Sequence, residues 1–268
     1  MRLPPALVRT AARARPRIPQ QVLSTLLSVG SFVPTDAPLV ALPSFRRVMI
    51  LAPHPDDETI GAGGTIARLA HGGATVHVLV ATDGDATIGT PQPPAEVARR
   101  RRAEVATACR HLGARPPLLL GLPDGRVADH RDTLAARLQR HLLEVDPDVV
   151  FTPWPLERHT DHRACTAALT QVAPTRAELW GYEAHTPIPL PDRVVDITST
   201  LAAKRAALDA HLTAGQAFDL HACLGLARWR SLSTAAGRGA AEAFLTMSWA
   251  GLPSLVAAAG AAWRGEAG

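Results

Sequence analysis

The sequence has few of the residues that mark several common protein classes. It contains only three cysteines, Cys109, Cys165 and Cys223, which are widely spaced and form no Cys-x-x-Cys pair. This pattern excludes a disulfide framework and predicts a reducing compartment, so we expect a cytoplasmic protein. No apolar run reaches the about 18 residues that a transmembrane helix requires, which argues against a membrane-spanning protein.

Lysine is almost absent too, because Lys204 is the only lysine among 28 basic residues. The net charge is +4 and the isoelectric point about 9.6, which raises the question of an anionic partner. The positive surplus lies near the amino terminus, where residues 1–35 hold five arginines and no acidic residue. The rest of the chain has one more acidic than basic residue, so the isoelectric point says nothing about chemistry there.

We therefore divide the chain into a basic amino-terminal arm, residues 1–43, and one domain, residues 44–268. The arm contains a short apolar stretch at 22–33, which we expect to pack on the domain or rest on a membrane surface as a helix. Peripheral contact with a membrane or another protein through the arm is one hypothesis. Nucleic-acid binding is not expected, because aromatic residues are only 4% and the domain has no known binding motif. The oligomeric state is not indicated.

Strands and helices are predicted to alternate along the domain. Short apolar runs predict strands, and longer stretches that end at glycines predict the helices between them. The predicted strands are residues 47–52, 74–81, 117–120, 148–152, 179–184 and 193–197. The predicted helices are residues 58–71, 95–112, 133–145, 160 to about 172, and 201–212, with a helical tail rich in alanine and glycine. This order predicts a Rossmann-like α/β fold, with a mostly parallel sheet and helices on both faces.

Polar loops follow four of these strands at their carboxyl ends. They are residues 54–58, 82–85, 121–125 and 159–162. Ligands of open α/β sheets bind outside the carboxyl ends of the strands, so we expect the loops to converge there and form an active site.

Two of the loops carry the side-chain types of a hydrolytic zinc site. His54 and Asp57 are three residues apart, so a tight loop or first helical turn directs both toward one ion. His162 is a candidate third ligand, and the open coordination position would hold a water molecule. Asp56 then points elsewhere and is free to act as the general base. Fe²⁺ or another divalent ion suits the same donors, because affinity alone does not choose the metal.

The same residues carry a resemblance to a known family. APHPDDE at 52–58, followed by GAGGTIARL at 61–69, and HTDH at 159–162 resemble the PIG-L (LmbE-like) zinc-dependent N-acetylglucosaminide deacetylases. The resemblance covers roughly residues 48–244. It also includes an Arg-x-x-Glu helix at 101–104, a Leu-Pro-Asp-Gly loop at 122–125 and an Ala-Glu-Ala-Phe stretch at 241–244. Either motif alone is weak, whereas HPDDE and HxDH in this order are specific.

The resemblance implies that His54, Asp57 and His162 are the zinc ligands. It also implies that Asp56 is the base that takes a proton from water. A capped turn at the start of a helix is the plainer interpretation of these acidic residues. Three polar groups between two prolines are costly without a purpose, so we favour the metal site.

The remaining roles that the resemblance implies concern the substrate. His159 is similar to the histidine that steadies the developing oxyanion or protonates the leaving amine, and Asp161 would orient His159. Arg101 and Asp124 match positions that hold sugar hydroxyls or a nearby anionic group. Asp124 also suits an ordinary Pro-Asp-Gly turn. Some members use a tyrosine before HxDH as an acid, but the only tyrosine here is Tyr182, downstream, so that role is not transferred.

The leading functional hypothesis is a zinc-dependent hydrolase that removes an N-acetyl group from an amino sugar in a glycoconjugate or small-molecule glycoside. The alternative is a metal-dependent de-N-acylase that acts on a non-sugar amide. Both reactions need an activated water, a polarised carbonyl and a proton for the departing amine.

Overall fold

The computed structural model describes residues 42–87, 89–233 and 236–264. The predicted arm and its apolar stretch at 22–33 lie outside the described residues, except for the arm's last two positions. The division at residue 43 therefore stays a prediction. Among the described residues, no helix is both long enough and apolar enough to cross a membrane.

Strands and helices alternate through the described residues. The strands are β1 (Arg47–Ala52), β2 (Thr75–Thr82), β3 (Leu118–Leu122), β4 (Val149–Pro153), β5 (Glu178–Tyr182), β6 (Arg193–Asp196) and β7 (Ala241–Met247). The α-helices are α1 (Asp57–His71), α2 (Pro94–Leu112), α3 (Arg131–Val145), α4 (Thr160–Ala168), α5 (Leu201–Ala210), α6 (Leu212–Ala217), α7 (Ala222–Arg230) and α8 (Leu252–Arg264). Short 3-10 turns lie at Val127–His130, Leu169–Gln171, Thr198–Thr200 and Ser231–Ser233.

The strands form a seven-stranded sheet in the order β3-β2-β1-β4-β5-β7-β6. β1 to β5 pair in parallel, whereas β7 is antiparallel to both of its neighbours. This confirms the mostly parallel α/β sheet. Because β1 and β4 lie side by side near the middle, the loops after them emerge together at one edge.

Helices cover both faces of the sheet, because alternate residues of each central strand face opposite sides. Met49 and Leu51 of β1 pack in a core with Leu134 of α3. Ile50, between them, packs in a second core with Ile66 of α1. Strand β1 is buried on both sides, which explains why its sequence is a continuous apolar run.

Helix α1 lies unusually close to the sheet, and glycine makes this approach feasible. A Cβ atom at Gly61 would overlap the ring of Tyr182, and a Cβ atom at Gly64 would overlap Ile197. Tyr182 itself is fully buried, and its hydroxyl donates a hydrogen bond to the carbonyl of Leu51 at 3.0 Å. Tyr182 therefore packs inside the fold.

The structure corrects the prediction in the carboxyl-terminal part of the chain. The tail was expected to be helical, but residues 241–247 form strand β7 between β5 and β6. Its alanines favour a helix, yet the segment is buried and its backbone groups pair with both neighbours, so tertiary pairing overrides propensity. Two predicted helices also end early, at Ala168 and Ala210, and β3 continues to Leu122, into the predicted 121–125 loop.

Candidate active site

The four polar loops meet at the carboxyl edge of the sheet, as the sequence predicts. The side chain of Asp124, after β3, lies 3.1 Å from His54 Nε2 and accepts a hydrogen bond from the Ala86 backbone, after β2, at 2.9 Å. The carboxylate of Asp161, after β4, accepts one from the Gly125 backbone at 2.7 Å. The loops thus form one connected rim.

The predicted metal ligands His54 and His162 both approach one carboxylate oxygen of the third, Asp57. Asp57 Oδ2 lies 3.1 Å from His54 Nδ1 and 3.2 Å from His162 Nε2, and it accepts the backbone N–H of His54 at 3.0 Å. All three side chains are buried. The β1 strand, the start of α1 and the first turn of α4 bring them together. Two imidazole nitrogens and a carboxylate form a donor set that divalent zinc binds.

His162 provides a structural test of whether a metal fits here. The side chain is fully buried, and neither ring nitrogen makes a hydrogen bond of good geometry with the described residues, although the Asp57 carboxylate lies 3.2 Å from Nε2. Buried polar atoms without partners are costly, and a cation between His162 Nε2 and Asp57 would satisfy the nitrogen. On the other side of the ring, the Glu157 carboxylate lies 3.5 Å from Nδ1. A carboxylate behind a histidine is the usual way to orient a metal ligand, so the residues fit a divalent metal.

The site offers more donors than the predicted three. One ring nitrogen from each of His54, His159 and His162 lies within 4.8 Å of the other two. The ligand atoms of Asp57, His162 and His185 form a second set with the same spacing. His54, Asp124 and Asp161 form a third set of this kind. His185 is not among the predicted site residues, yet its ring centroid lies 5.0 Å from that of His162. No spacing in the sequence identifies His185, because it follows β5 and lies outside both motifs.

Asp56, the predicted base, is held in a strained backbone conformation beside the ligands. Its φ is 145°, which non-glycine residues rarely adopt and which costs about 1–3 kcal/mol. Its backbone N–H donates to Glu58 Oε2 at 3.1 Å, which helps to hold this conformation. Burial raises the pKa of Asp56 to about 6, although the charge of Arg101 acts against this rise. A carboxylate with a pKa near neutrality is suited to accept a proton.

Arg101, which is expected to bind a sugar, contacts the predicted base. Only about 5% of its surface is exposed, and Nη2 lies 3.0 Å from Asp56 Oδ2. The guanidinium also donates to the carbonyls of Pro55 and Gly84, at 2.7 and 3.0 Å, and to the Thr87 hydroxyl at 2.6 Å. These contacts join the loops after β1 and β2. Arg101 therefore fixes Asp56 in place, and its contact with a sugar stays a prediction.

Asp124 and Asp161 together hold the outer nitrogen of His54. Their carboxylate oxygens lie 3.1 and 3.2 Å from His54 Nε2. Burial lowers the pKa of His54, but hydrogen bonds to Asp124, Asp161 and Asp57 outweigh it and raise the value overall. The expected contact between the Asp161 carboxylate and His159 is absent, because that carboxylate bonds His54 and the backbone of Gly125 and Val127. Asp161 therefore orients His54 rather than His159.

His159 caps helix α4 and faces the site. Its Nδ1 accepts a hydrogen bond from the backbone N–H of Asp161 at 3.2 Å, and its ring centroid lies 4.7 Å from that of His54. Burial, together with the positive charges of His54 and His162, lowers the pKa of His159 to about 4. The imidazole is therefore neutral near pH 7. With Nδ1 acting as an acceptor, its proton lies on Nε2.

Glu58 and His211 lie next to each other in the buried layer beside Asp56. Glu58 Oε1 lies 3.3 Å from Nε2 of the buried His211, and Thr59 Oγ1 lies 3.2 Å from the same nitrogen. Glu58 thereby connects helix α5's end to the backbone of Asp56. His211 is 152 positions away from Thr59 in sequence, so only the fold brings them together.

Comparison with known proteins identifies relatives of this chain. The family profile for PIG-L, described as GlcNAc-PI de-N-acetylase, matches residues 49–173. A 1D-myo-inositol 2-acetamido-2-deoxy-alpha-D-glucopyranoside deacetylase of Rhodococcus jostii is 32% identical over 239 residues, covering 63% of this chain and 82% of the relative. The chain belongs to the PIG-L family. An enzyme of the same name from Rhodococcus opacus is 39% identical, but only 40% of each chain is covered.

The fold of this PIG-L protein is also that of solved relatives. The structure of N,N'-diacetylchitobiose deacetylase from Pyrococcus horikoshii superposes with a TM-score of 0.63, at 24% identity, over 86% of this chain and 93% of the other. At this identity the likeness shows the fold. The family match includes the loops that carry the two motifs, whereas β7 and the helices after β5 lie outside it.

Proposed function

We propose that this protein hydrolyses the N-acetyl amide of an N-acetylglucosamine-type group in a glycoconjugate or small-molecule glycoside. The observation that carries the proposal is the buried cluster of Asp56, Asp57 and His162, which places a base of raised pKa beside a metal-ligand set. The relatives support it, because several of them are named as deacetylases of such sugars.

We propose Zn²⁺ as the metal, held by His54, Asp57 and His162. A bound Zn²⁺ supplies the positive charge that lowers the pKa of a water molecule and polarises an amide carbonyl. His185 lies close enough to extend the donor set. Fe²⁺ is the alternative, because imidazole and carboxylate donors suit both ions. Metal analysis of protein purified without added metal distinguishes them.

Asp56 accepts the proton of the attacking water in this proposal. Its carboxylate is fixed by Arg101 at 3.0 Å and by the strained backbone, so it loses little freedom when substrate arrives. A pKa near 6 leaves it mostly ionised at neutral pH and still basic enough to take a proton. The same group, once protonated, can return the proton to the departing amine.

His159 supplies a hydrogen bond to the developing oxyanion. The family resemblance leaves two roles open, stabilising the oxyanion or protonating the amine. A neutral imidazole with its proton on Nε2 fits the first, because it donates a hydrogen bond without prior protonation. Asp124 contacts His54 and lies at the rim, so we retain it as the residue that also meets a sugar hydroxyl.

We further propose a cytoplasmic location and small-molecule or glycoside substrates as the partners. The described cysteines are all free, which suits a reducing compartment. Contact of residues 1–43 with a membrane or a protein stays a separate hypothesis, tested by salt-dependent binding with and without residues 1–35. Retained binding after their removal would contradict it.

A deacetylation screen tests the function directly. The purified protein is incubated with N-acetylglucosaminyl conjugates and with matched non-sugar acetamides, and loss of an acetyl group is followed by mass spectrometry. The Asp56→Asn variant serves as the inactive control. We expect free acetate and a glucosamine product from the sugar conjugates. Activity on the non-sugar amides alone would replace the proposal with the broader de-N-acylase hypothesis.

A further inference from the structure

A cavity opens beside the candidate active site, on the side of the sheet where β5 and β7 lie. Its volume is about 250 Å³, and its walls come from α1, the end of β5 and the segment from Phe218 to Ala227. A water molecule occupies about 30 Å³ in the liquid, and the methyl group of an acetyl is of similar size. The cavity is therefore roughly eight times larger than an acetyl methyl group needs.

His185 connects this cavity to the metal-ligand cluster. It lines the cavity, and one of its ring nitrogens lies within 4.8 Å of the donor atoms of Asp57 and His162. Its ring also lies 6.0 Å from that of Phe218, at the cavity's outer wall. Ile60 and Gly61, one turn after Asp57 in α1, line the inner wall. A group attached to the reacting amide can reach the cavity by passing His185.

The walls suit an uncharged, apolar occupant. Ile60, Phe218, Leu220 and Leu226 are the largest apolar side chains in the wall. The buried charged groups in the wall already have partners. Lys204 Nζ lies 2.6 Å from Glu242 Oε1 and donates to the Ile60 carbonyl at 2.7 Å.

A second buried pair has the same effect. Glu183 pairs with Arg230, and Arg230 also donates to the Ile188 carbonyl at 2.6 Å. With these charges compensated, the wall presents no free cation among the described residues that line it. The exposed carboxylate of Asp219 at the rim further disfavours an anion.

The cavity lies on the opposite side of the ligand cluster from Asp124. Asp124, which the loop after β2 contacts through the Ala86 backbone, approaches His54 at Nε2, whereas Asp57 contacts the same ring at Nδ1. In the sheet, β2 and then β3 lie on one side of β1, whereas β4 and then β5 lie on the other. A sugar that contacts Asp124 therefore does not occupy the cavity, which can hold another part of the substrate.

We propose that this cavity binds an apolar chain of the substrate, attached either through the N-acyl group or through the glycosidic oxygen. The inference rests on the proposed amide hydrolysis and adds a class of preferred substrate. Small-molecule sites are mostly apolar and span about 300–1,000 Å³, so this cavity holds a short chain rather than a whole ligand.

Two substrate series identify the chain. In the first, glucosamine carries N-acetyl, N-butanoyl or N-hexanoyl groups. In the second, N-acetylglucosamine carries a methyl, butyl or hexyl group on the anomeric oxygen. We expect kcat/KM to rise about two- to fourfold per added methylene in one series and to stay flat in the other. The rising series identifies the source of the chain.

Filling the cavity provides the matched variant. Ala222 is exposed at the start of α7 and lines the cavity, so Ala222→Phe adds a ring there without disturbing the core. We expect this change to abolish the gain with chain length. Leu143→Phe, at an exposed site on α3, adds a ring elsewhere and should keep the gain.

Cys223 gives a readout that does not depend on hydrolysis. It lines the cavity and is half-buried, whereas Cys109 and Cys165 are buried. Because burial raises the pKa of Cys223, alkylation by iodoacetamide is followed at mildly alkaline pH by peptide mass spectrometry. Hexyl glucoside and N-hexanoylglucosamine are the protecting probes, with methyl glucoside as the control. We expect at least one hexyl probe to slow alkylation about fivefold or more.

The outcomes separate this inference from the proposed function. Hydrolysis with flat kinetics in both series overturns the cavity inference and leaves the deacetylase proposal standing. No hydrolysis of any substrate, with Cys223 still protected, overturns the proposed function and retains the apolar site. Unprotected Cys223 with every probe overturns the apolar site whatever the kinetics show.

Discussion

Arg101 and Asp56 form a buried ion pair, with guanidinium Nη2 3.0 Å from carboxylate Oδ2 and about 95% of each residue's surface inaccessible to solvent. The pair joins helix α2 to the loop after β1. It keeps the proposed base ionised in a site where burial alone favours protonation. Arg101 therefore acts on the reaction through Asp56.

Replacing Arg101 should change the pH dependence of the reaction. Arg101 lowers the pKa of Asp56, so Arg101→Gln raises that pKa further. Because the base must be ionised, the acidic limb of kcat/KM should move to higher pH, and the rate at neutral pH should fall. Arg102→Gln, one position along and paired with Asp83 near the surface, is the control. A pH–rate profile for each variant decides the matter, and an unmoved acidic limb would argue against the pair's role.

Replacing Asp56 should stop the reaction without removing the metal. Asp56→Asn keeps the size of the side chain and abolishes its basicity, so we expect kcat to fall about 10²- to 10⁴-fold. Metal content, measured by elemental analysis, should equal that of the parent. Asp129→Asn, an exposed acidic residue near the rim, should change neither quantity. Loss of metal from Asp56→Asn would assign Asp56 to the ligands instead.

Replacing Glu157, which lies next to the predicted ligand His162, should weaken metal binding. Its carboxylate lies 3.5 Å from His162 Nδ1 and also accepts the backbone N–H groups of Ala184, His185 and Thr186. We expect Glu157→Gln to reduce metal affinity about 10- to 100-fold, because the support of a histidine ligand is disturbed. Competition with a chelator measures the affinity. Glu96→Gln, on the exposed side of α2, should bind metal normally.

The substitution Glu242→Gln should lower the stability of the fold, because Glu242 lies outside the predicted catalytic residues. Glu242 pairs with Lys204 at 2.6 Å and accepts the backbone N–H groups of Gly64 and Thr65 in α1. Removing its charge leaves a buried ammonium unpaired, which costs about 3–5 kcal/mol in the free energy of unfolding. Urea denaturation measures this loss. Glu144→Gln, whose pair with Arg140 is exposed, should cost less than about 1 kcal/mol. Equal losses in both variants would contradict the buried-pair explanation.

Local sequence is sufficient to predict a strand or helix when residues within the segment and at its ends mark its type and bounds. The apolar run from Arg47 to Ala52 predicts β1 with its observed bounds, since prolines and polar residues follow it directly. The run from Ala241 to Met247 mixes alanine, glutamate and leucine, which favour a helix, and has no such boundary. Its strand conformation depends on pairing with β5 and β6, which only the folded chain provides.

The candidate site divides in the same way. His54, Asp57 and His162 lie in two compact motifs, and their convergence follows from the parallel order of β1 and β4. Arg101 and His185 lie far from those motifs, and their positions depend on how α2 packs and how β5 ends. A residue type alone does not distinguish a guanidinium that binds a sugar from one that fixes a carboxylate. The contacts of Arg101 show that it fixes a carboxylate.

The single lysine has a practical consequence for experiments on the native protein. Lys204 is only 1% exposed and is held by Glu242 and the Ile60 carbonyl, so its ε-amine is shielded from reagents in solution. No other lysine side chain exists to react in its place. The rate at which a reagent acylates Lys204 therefore measures how often the interface between α1 and α5 opens. It reports local unfolding at one defined position, without any engineered label.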